Sequence, residues 1–410
     1  MSLKIERLGH HGDGIARGPV FVPLTLPGEV VEGEITGDRI AQPRIVTPST
    51  DRVRPVCRHF KSCGGCSVQH ASDAFVEGWK ADMVRAALAA QGLEAPIVAV
   101  HTSPPQSRRR ATLAGKRTKK GAMVGFHARG SDVLIEIPDC QLLVRQIITL
   151  LPDLQELTVL AASRKAEIGI AVTWSDNGAD ISLTGAVPLD GPLRAKAAAF
   201  TQRGGIARLS WNGELIVQQH APEQDFGGVR VVPPPGAFLQ ATAAGQDVLT
   251  KAVLRAVGPA RQVVDLFAGC GTFSLPLASS AQVLAVEEAP DMLEALDAGW
   301  RQAKGLKQVT TEARDLFRRP LLPDELRRYQ AIVIDPPRAG AEAQMIEIAR
   351  SNVARIAAVS CNPASFARDA KILQGGGYRL DWIEVVDQFR WSAHVELVAQ
   401  FTKDHIAPNA

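Results

Sequence analysis

A chain of 410 residues, 46% hydrophobic and 22% charged, has the composition of a globular protein and the length of two or three domains. No apolar run reaches the roughly 18 residues of a membrane span, and the charged opening MSLKIERLGHHGDG holds no signal-peptide stretch, so a cytoplasmic protein with no membrane partner is expected. Net charge is only +3, but residues 1–130 carry 19 Lys/Arg against 11 Asp/Glu, which puts a phosphate-rich partner at the N-terminal part.

Residues 1–50 alternate short β-rich runs with Gly and Pro, the pattern of a small OB-like barrel, a fold that commonly holds single-stranded nucleic acid. CRHFKSCGGCSVQH then spaces Cys57-x5-Cys63-x2-Cys66, with Cys140 as a distant fourth candidate. In a reducing compartment such clustering points to a metal or to catalysis rather than to disulfides. Four thiolates suit either tetrahedral zinc or a [4Fe–4S] cluster. The spacing matches neither the paired C-x2-C of a zinc ribbon nor the C-x3-C-x2-C of radical enzymes. An amphipathic helix follows, ending at Gly92. From 97 to 230 strand-like and helical runs alternate as in a mixed α/β domain. This segment holds Arg108, Arg109 and Arg110, then Lys116, Arg117, Lys119 and Lys120 with no acid between, the sharpest basic concentration in the chain. The stretch VRVVPPPGAF (229–238) reads as a linker, so the expected domains are 1–50, 51–230 and 231–410.

From about residue 240, apolar strands alternate with helices, which predicts a doubly wound, mostly parallel sheet. Two closing strands with no helix between them predict an antiparallel strand at one edge. VVDLFAGCGTFSLPLA places a strand before a glycine turn and a helix. Gly269 and Gly271 let a ligand approach the backbone, and Thr272 continues that turn. The third glycine of the dinucleotide fingerprint is missing, which argues against a pyrophosphate. Asp265, just before the turn, suits a cationic ligand. Glu287 ends the next strand and can accept ribose hydroxyls. A phosphate-free nucleoside carrying a sulfonium, S-adenosylmethionine, meets both requirements. Asp315 follows the third strand, where adenine is usually held.

VIDPPRAG puts Asp335 and Arg338 at the carboxyl end of a strand, the ligand edge of an open α/β sheet. Amino-methyltransferases set an aromatic residue where Arg338 stands, so an exocyclic amine loses support as acceptor. VSCNP brings Cys361 to the same edge. Carbon 5 of uracil becomes nucleophilic enough to take a methyl group once a thiolate adds to carbon 6, so the reaction calls for a cysteine. The helix starting near Pro363 is expected to lower the thiol pKa. The carbon-5 proton must then leave, and Glu396 and His394 are both candidates, placed by strand alternation on one face.

GAFLQAT, DLFAGCGTF, AVE, DPPRAG, SCNPASFARD and HVE follow in order the motifs of the RNA 5-methyluridine (uracil-C5) methyltransferase family, which the chain resembles over essentially its whole length. The resemblance implies a class I (Rossmann-like) methyltransferase domain, with Cys361 as nucleophile and Glu396 as base. It also implies that Gln240, Phe267, Glu287, Asp315 and Asp335 line the cofactor or the flipped uracil. The family's Phe-x-Gln segment usually ends in Asn, whereas Gln240 is followed here by Ala241 and Thr242. The opening pattern GxxxDGIAR…VFVPLTLPGEVVEGEI resembles the TRAM domain, an RNA-binding barrel. Barrel and cysteine cluster together resemble the branch that acts on bacterial 23S ribosomal RNA. That branch implies a [4Fe–4S] cluster on Cys57, Cys63, Cys66 and Cys140, and a target uracil flipped out of its stack. The alternatives are transfer RNA uracil as substrate, or a metal-cluster RNA-binding protein without catalysis; intact Cys361 and Glu396 speak against the latter. A monomer is the default expectation.

Overall fold

Ile5, Val22, Val31 and Ile40 are wholly buried, and together they form the core of the N-terminal barrel. Their alternation with exposed neighbours curls five antiparallel strands, Ser2–Leu8, Gly14–Ala16, Val20–Val22, Val30–Glu32 and Arg44–Thr47, around one apolar centre. The edge strand closes onto the loop before the fifth strand, where the Phe21 amide donates to the Asp38 carbonyl at 2.8 Å and the Ile40 amide to the Phe21 carbonyl at 3.0 Å. The computed structural model describes residues 2–403.

The central domain is a seven-stranded sheet built on Ile170, Val172, Ile181, Leu183 and Leu209. Helix Leu151–Ala161 packs on this core through Leu154 and Leu157. Helix Gly191–Phe200 connects the parallel strands Gly178–Thr184 and Ile206–Trp211.

The C-terminal sheet has eight strands, in the order Val309–Ala313, Gln282–Glu287, Gln262–Leu266, Ala331–Ile334, Arg355–Ser360, Glu396–Thr402, Arg379–Asp387, Ile97–Thr102. The first five are parallel and read as near-continuous apolar runs because helices cover both faces. The chain direction of the layout reverses between Gln262–Leu266 and Ala331–Ile334, so a crevice opens at their carboxyl ends.

The structure departs from the sequence expectations in three places. The antiparallel strand, Glu396–Thr402, is not at the edge; it is inserted between Arg355–Ser360 and Arg379–Asp387. The edge belongs to Ile97–Thr102, paired parallel to Arg379–Asp387. The boundary at 230 therefore cuts across the structure, because helix Asp73–Ala90 also packs on this domain through Val84 and Leu88. Nor is 229–238 a plain linker. Val229–Val231 pairs with Gln224–Phe226 across Gly227 and Gly228, both at positive φ, and Phe226, Val229 and Val231 enter the C-terminal core.

One ion pair bolts the added helix to the sheet. Lys80 Nζ lies 2.5 Å from Asp387 Oδ1, both side chains essentially without exposure, and donates a second hydrogen bond to the Phe389 carbonyl at 3.3 Å.

Candidate active site

The glycine turn carries the local strain of a ligand loop. Phe267, Gly269 and Gly271 all take positive φ, at 62°, 55° and 91°. A Cβ on Gly271 would lie 2.8 Å from Leu296 Cγ, so only glycine lets the turn pack on the helix behind it. Thr272 is half-buried beside it. Beneath the turn Asp265 is wholly buried; its Oδ2 accepts from Ser274 Oγ at 2.6 Å while Oδ1 has no partner. Burial, and then the neighbouring charges of Asp335 and Glu287, push its carboxyl up to about 7. Glu287 holds the loop from the next strand: Oε2 accepts the Gly269 amide at 3.0 Å, and Oε1 those of Glu288 and Ala289 at 2.9 and 3.1 Å. Asp315 caps its own turn, accepting the amides of Phe317 and Arg318 at 2.9 and 3.2 Å. The Phe317 ring, largely exposed, faces that of Phe267 at 5.5 Å, making an aromatic wall that the sequence reading missed.

Across the crevice, Asp335 ends its strand and Glu396 opens the antiparallel one. Glu396 is buried, and its Oε2 accepts from Gln388 Nε2 at 3.0 Å. Gln388 Nε2 also donates to Gln240 Oε1 at 2.5 Å, and Gln240 Nε2 reaches Asp335 Oδ2 at 3.5 Å. The result is a chain Glu396–Gln388–Gln240–Asp335 across the site. Burial raises the Asp335 carboxyl to about 7. Burial and the charge of Asp335 raise Glu396 to about 8. Gln388 also went unnoticed in the sequence, since no motif includes it.

Glu396 and His394 do not share a strand face: the strand begins at Glu396, and His394 lies exposed in the preceding loop, its ring against Phe389 at 5.6 Å. Cys361 is half-buried just after its strand. The expected lowering of its thiol is reversed, to about 11. Burial is the main cause, followed by the charges of Glu396 and Asp335, against which Arg338 acts. The helix N-terminus that was to lower it is already served by Asn362, whose side chain accepts the Ala364 amide at 3.1 Å.

Cys361 and Glu396 open on one cleft of about 770 Å³. The barrel contributes His10, His11 and Arg39 to its lining, the cysteine loop Ser67, and the central domain Arg108 and Arg129. Of the three consecutive arginines only Arg108 lines the cleft. Arg109 is turned inward, donating to Gln246 Oε1 at 2.7 Å, and Arg110 lies over the Phe238 ring at 4.4 Å.

Cys57, Cys63, Cys66 and Cys140 converge on one small cavity with Phe60, Phe126 and Leu142. The Gly65 amide donates to Cys63 Sγ and the Leu142 amide to Cys140 Sγ, each at 3.4 Å. Among the described residues, however, no three His, Cys, Asp or Glu side chains are gathered to hold a metal ion. The four cysteines expected to hold a metal cluster thus share a cavity, but the expectation of a metal site is not supported.

A sheet that reverses at its first strand, with a strained glycine turn and acids ending successive strands, defines a class I S-adenosylmethionine-dependent methyltransferase. The family model described as tRNA (Uracil-5-)-methyltransferase matches residues 233–403. Over 404 residues the chain is 44% identical to an RNA methyltransferase of Brucella suis, covering 98% of this chain and 97% of that protein. It is 31% identical to the 23S rRNA (uracil(1939)-C(5))-methyltransferase RlmD of Shewanella piezotolerans, with 98% and 95% covered. The solved tRNA (uracil-54, C5)-methyltransferase of Pyrococcus abyssi, in complex with S-adenosyl-L-homocysteine, shares the fold at a TM-score of 0.77 and 22% identity, covering 98% of this chain and 99% of its own. The chain belongs to the RNA uracil-C5 methyltransferase family.

Proposed function

We propose that this enzyme methylates carbon 5 of a flipped uracil in 23S ribosomal RNA through a covalent adduct at Cys361, with Glu396 as the base. The observation that carries the reading is the convergence of Cys361 and Glu396 on one arginine-lined cleft, with Glu396 linked by hydrogen bonds to Asp335 at the cofactor edge.

S-adenosylmethionine, when bound, supplies an electrophilic methyl group. Asp265, Glu287 and Asp335 would hold it, with Gln240, Phe267, Gly269, Gly271, Thr272 and Asp315 around them. The unpaired Oδ1 of Asp265 and the raised carboxyls of Asp265 and Asp335 fit a ligand that brings a positive charge. The Cys361 thiolate adds to carbon 6, and carbon 5 gains the electron pair with which it takes the methyl group. Glu396 then removes the carbon-5 proton, the carbon 5–carbon 6 double bond re-forms, and Cys361 leaves as thiolate. After burial, the charges of Glu396 and Asp335 hold the Cys361 thiol protonated; a cationic ligand beside Asp335 would offset that one charge and favour the thiolate.

The barrel, as a TRAM domain, and Arg39, Arg108 and Arg129 would grip the splayed strand. Cys57, Cys63, Cys66 and Cys140 would hold a [4Fe–4S] cluster that braces this wall. The enzyme would act as a cytoplasmic monomer. Ribosomal rather than transfer RNA is supported by the near full-length similarity to the 23S rRNA enzyme.

The test is trapping. With S-adenosylmethionine and RNA containing 5-fluorouridine, the wild type should form a denaturant-stable adduct and Cys361→Ala none. With ordinary RNA, Glu396→Gln should accumulate the methylated adduct. Absence of a Cys361-dependent adduct refutes the mechanism. Loss of 5-methyluridine from transfer RNA, and not from 23S RNA, in a deletion strain refutes the target.

A further inference from the structure

Glu396 is buried at the start of its strand, but the segment that delivers it, residues 388–395, belongs to neither strand it connects. Phe389, Ser392, Ala393, His394 and Val395 of this segment line the cleft that holds Cys361. A connecting loop has low local stability, and a group at its end shares that mobility unless the loop is fixed from outside.

Trp391 fixes it. Its side chain is 5% exposed and is buried in the core of the central domain, together with Cys63, Cys140 and Leu142. Its carbonyl accepts two consecutive amides of the cysteine loop, Ser67 at 2.7 Å and Val68 at 3.1 Å. The residue takes a positive φ of 60°, a strained conformation for a bulky side chain that persists only where the surroundings over-determine it. The carbonyl of the same Cys66–Ser67 peptide unit accepts from Arg129 Nη2 at 2.9 Å, and Arg129 lines the cleft. One peptide group thus links an arginine of the cleft wall to Trp391, and its two hydrogen bonds polarise each other.

Arg390 clasps the same segment from the opposite side. Its guanidinium donates to both carboxylate oxygens of Asp73 at 2.8 and 2.7 Å and to the Ser103 carbonyl at 3.1 Å, and it lies 4.7 Å over the Trp391 ring.

We propose that Arg390 and Trp391 are positioning residues for proton removal: by tying the segment before Glu396 to the central domain and to helix Asp73–Ala90, they hold its carboxylate within reach of carbon 5. Cys361 follows the neighbouring strand Arg355–Ser360 and is carried by the helix after it, outside this tie. Loosening the tie therefore leaves thiol addition and methyl transfer in place and slows release of the methylated base. The inference rests on the covalent uracil reading above.

The experiment compares the full-length wild type, Trp391→Leu and Trp391→Phe, each with S-adenosylmethionine and RNA transcripts carrying the uracil that the wild type methylates. Adduct formation on 5-fluorouridine RNA, followed on denaturing gels, reads thiol addition. Decay of the methylated adduct on ordinary RNA reads proton removal. Trp391→Leu should form the 5-fluorouridine adduct at nearly the wild-type rate, while its methylated adduct decays on the order of 10- to 100-fold more slowly and accumulates. Trp391→Phe, which keeps a ring in the central core, should recover most of the decay rate. A merely structural role lowers both rates together; that result, or an unchanged decay rate, overturns the proposal. Should Trp391→Leu not fold, Asp73→Ala decides, because Asp73 is more than half exposed and its loss frees Arg390 without opening a core. It must lower the ratio of decay to addition, and a wild-type ratio overturns the proposal. A wild type that forms no 5-fluorouridine adduct sinks the covalent reading instead, which keeps the two failures apart.

Discussion

Replacing Lys80 by methionine removes one half of an ion pair from which water is excluded. Asp387 Oδ1 loses a partner at 2.5 Å, and its Oδ2 already has none, so the carboxylate is left charged in an apolar joint between helix Asp73–Ala90 and the catalytic sheet. Removing one member of a buried pair typically costs about 3–5 kcal/mol. The charge of Arg390 and a main-chain hydrogen bond from Phe389 still favour ionised Asp387, which places the expected loss near the lower end, about 3 kcal/mol. Burial already holds the Asp387 carboxyl above its ordinary value with Lys80 present, and the variant raises it further. A carboxylate raised in the folded state contributes most at low pH and loses that contribution as pH rises through its folded value. The deficit of Lys80→Met should therefore grow with pH and be smaller at pH 5 than at pH 8. The assay is urea unfolding followed by tryptophan fluorescence at both pH values, read as a midpoint shift at constant slope. The double variant Lys80→Met/Asp387→Leu should recover most of the loss, because an apolar pair of similar volume replaces a buried ion pair at little cost. A loss below about 1 kcal/mol at the higher pH, or a double variant as unstable as the single, would refute the reasoning.

Activity should rise with pH, since Glu396 must be ionised to take the proton and its carboxyl sits at about 8; kcat/KM against pH reads that limb, and a rate flat across this range contradicts it. Asp265 and Asp335, at about 7, and Glu396, at about 8, are all raised in the folded protein, so their contribution is full below ordinary carboxylate values and lost as pH climbs through these values. The cofactor-free protein should thus lose stability from about pH 5 to about pH 9 in thermal melts, and Asp335→Asn should flatten the slope; a melting temperature rising across that window contradicts this. By the same linkage, S-adenosylmethionine, being cationic, should gain affinity with pH more than S-adenosylhomocysteine does, as calorimetry at two pH values would reveal. Gly271→Ala forces a side chain into positive φ at 91° and to 2.8 Å from Leu296 Cγ; we expect about 1–3 kcal/mol of destabilisation and loss of cofactor binding, and binding at wild-type affinity would count against the turn's role.

Much of this protein was legible from local pattern. Strand–turn–helix order, the glycines at 269 and 271, and acids ending successive strands are written within a few residues of one another, because each reflects one supersecondary unit whose chemistry is local. Cys361 stood out because the reaction calls for a thiol near a strand end, whereas Glu396 was set apart from His394 only by the family resemblance. What escaped that reading depends on segments far apart in sequence. Strand Ile97–Thr102 joins a sheet whose other strands begin at residue 262, because the open edge of Arg379–Asp387 needs a partner for its backbone groups. The pKa of Cys361 followed its burial, and then the two carboxylates brought beside it, and not the helix that follows it, because Asn362 already serves the helix end. The triple arginine looked like one basic patch, yet packing sent Arg109 inward, Arg110 onto an aromatic ring and only Arg108 into the cleft. Gln388 carries no sequence signal at all; its role exists only because Ala241, Gln240 and Glu396 meet around it. The sequence by itself determined which reaction groups are present. Tertiary structure decided their protonation and orientation, since both depend on neighbours that only the folded chain assembles.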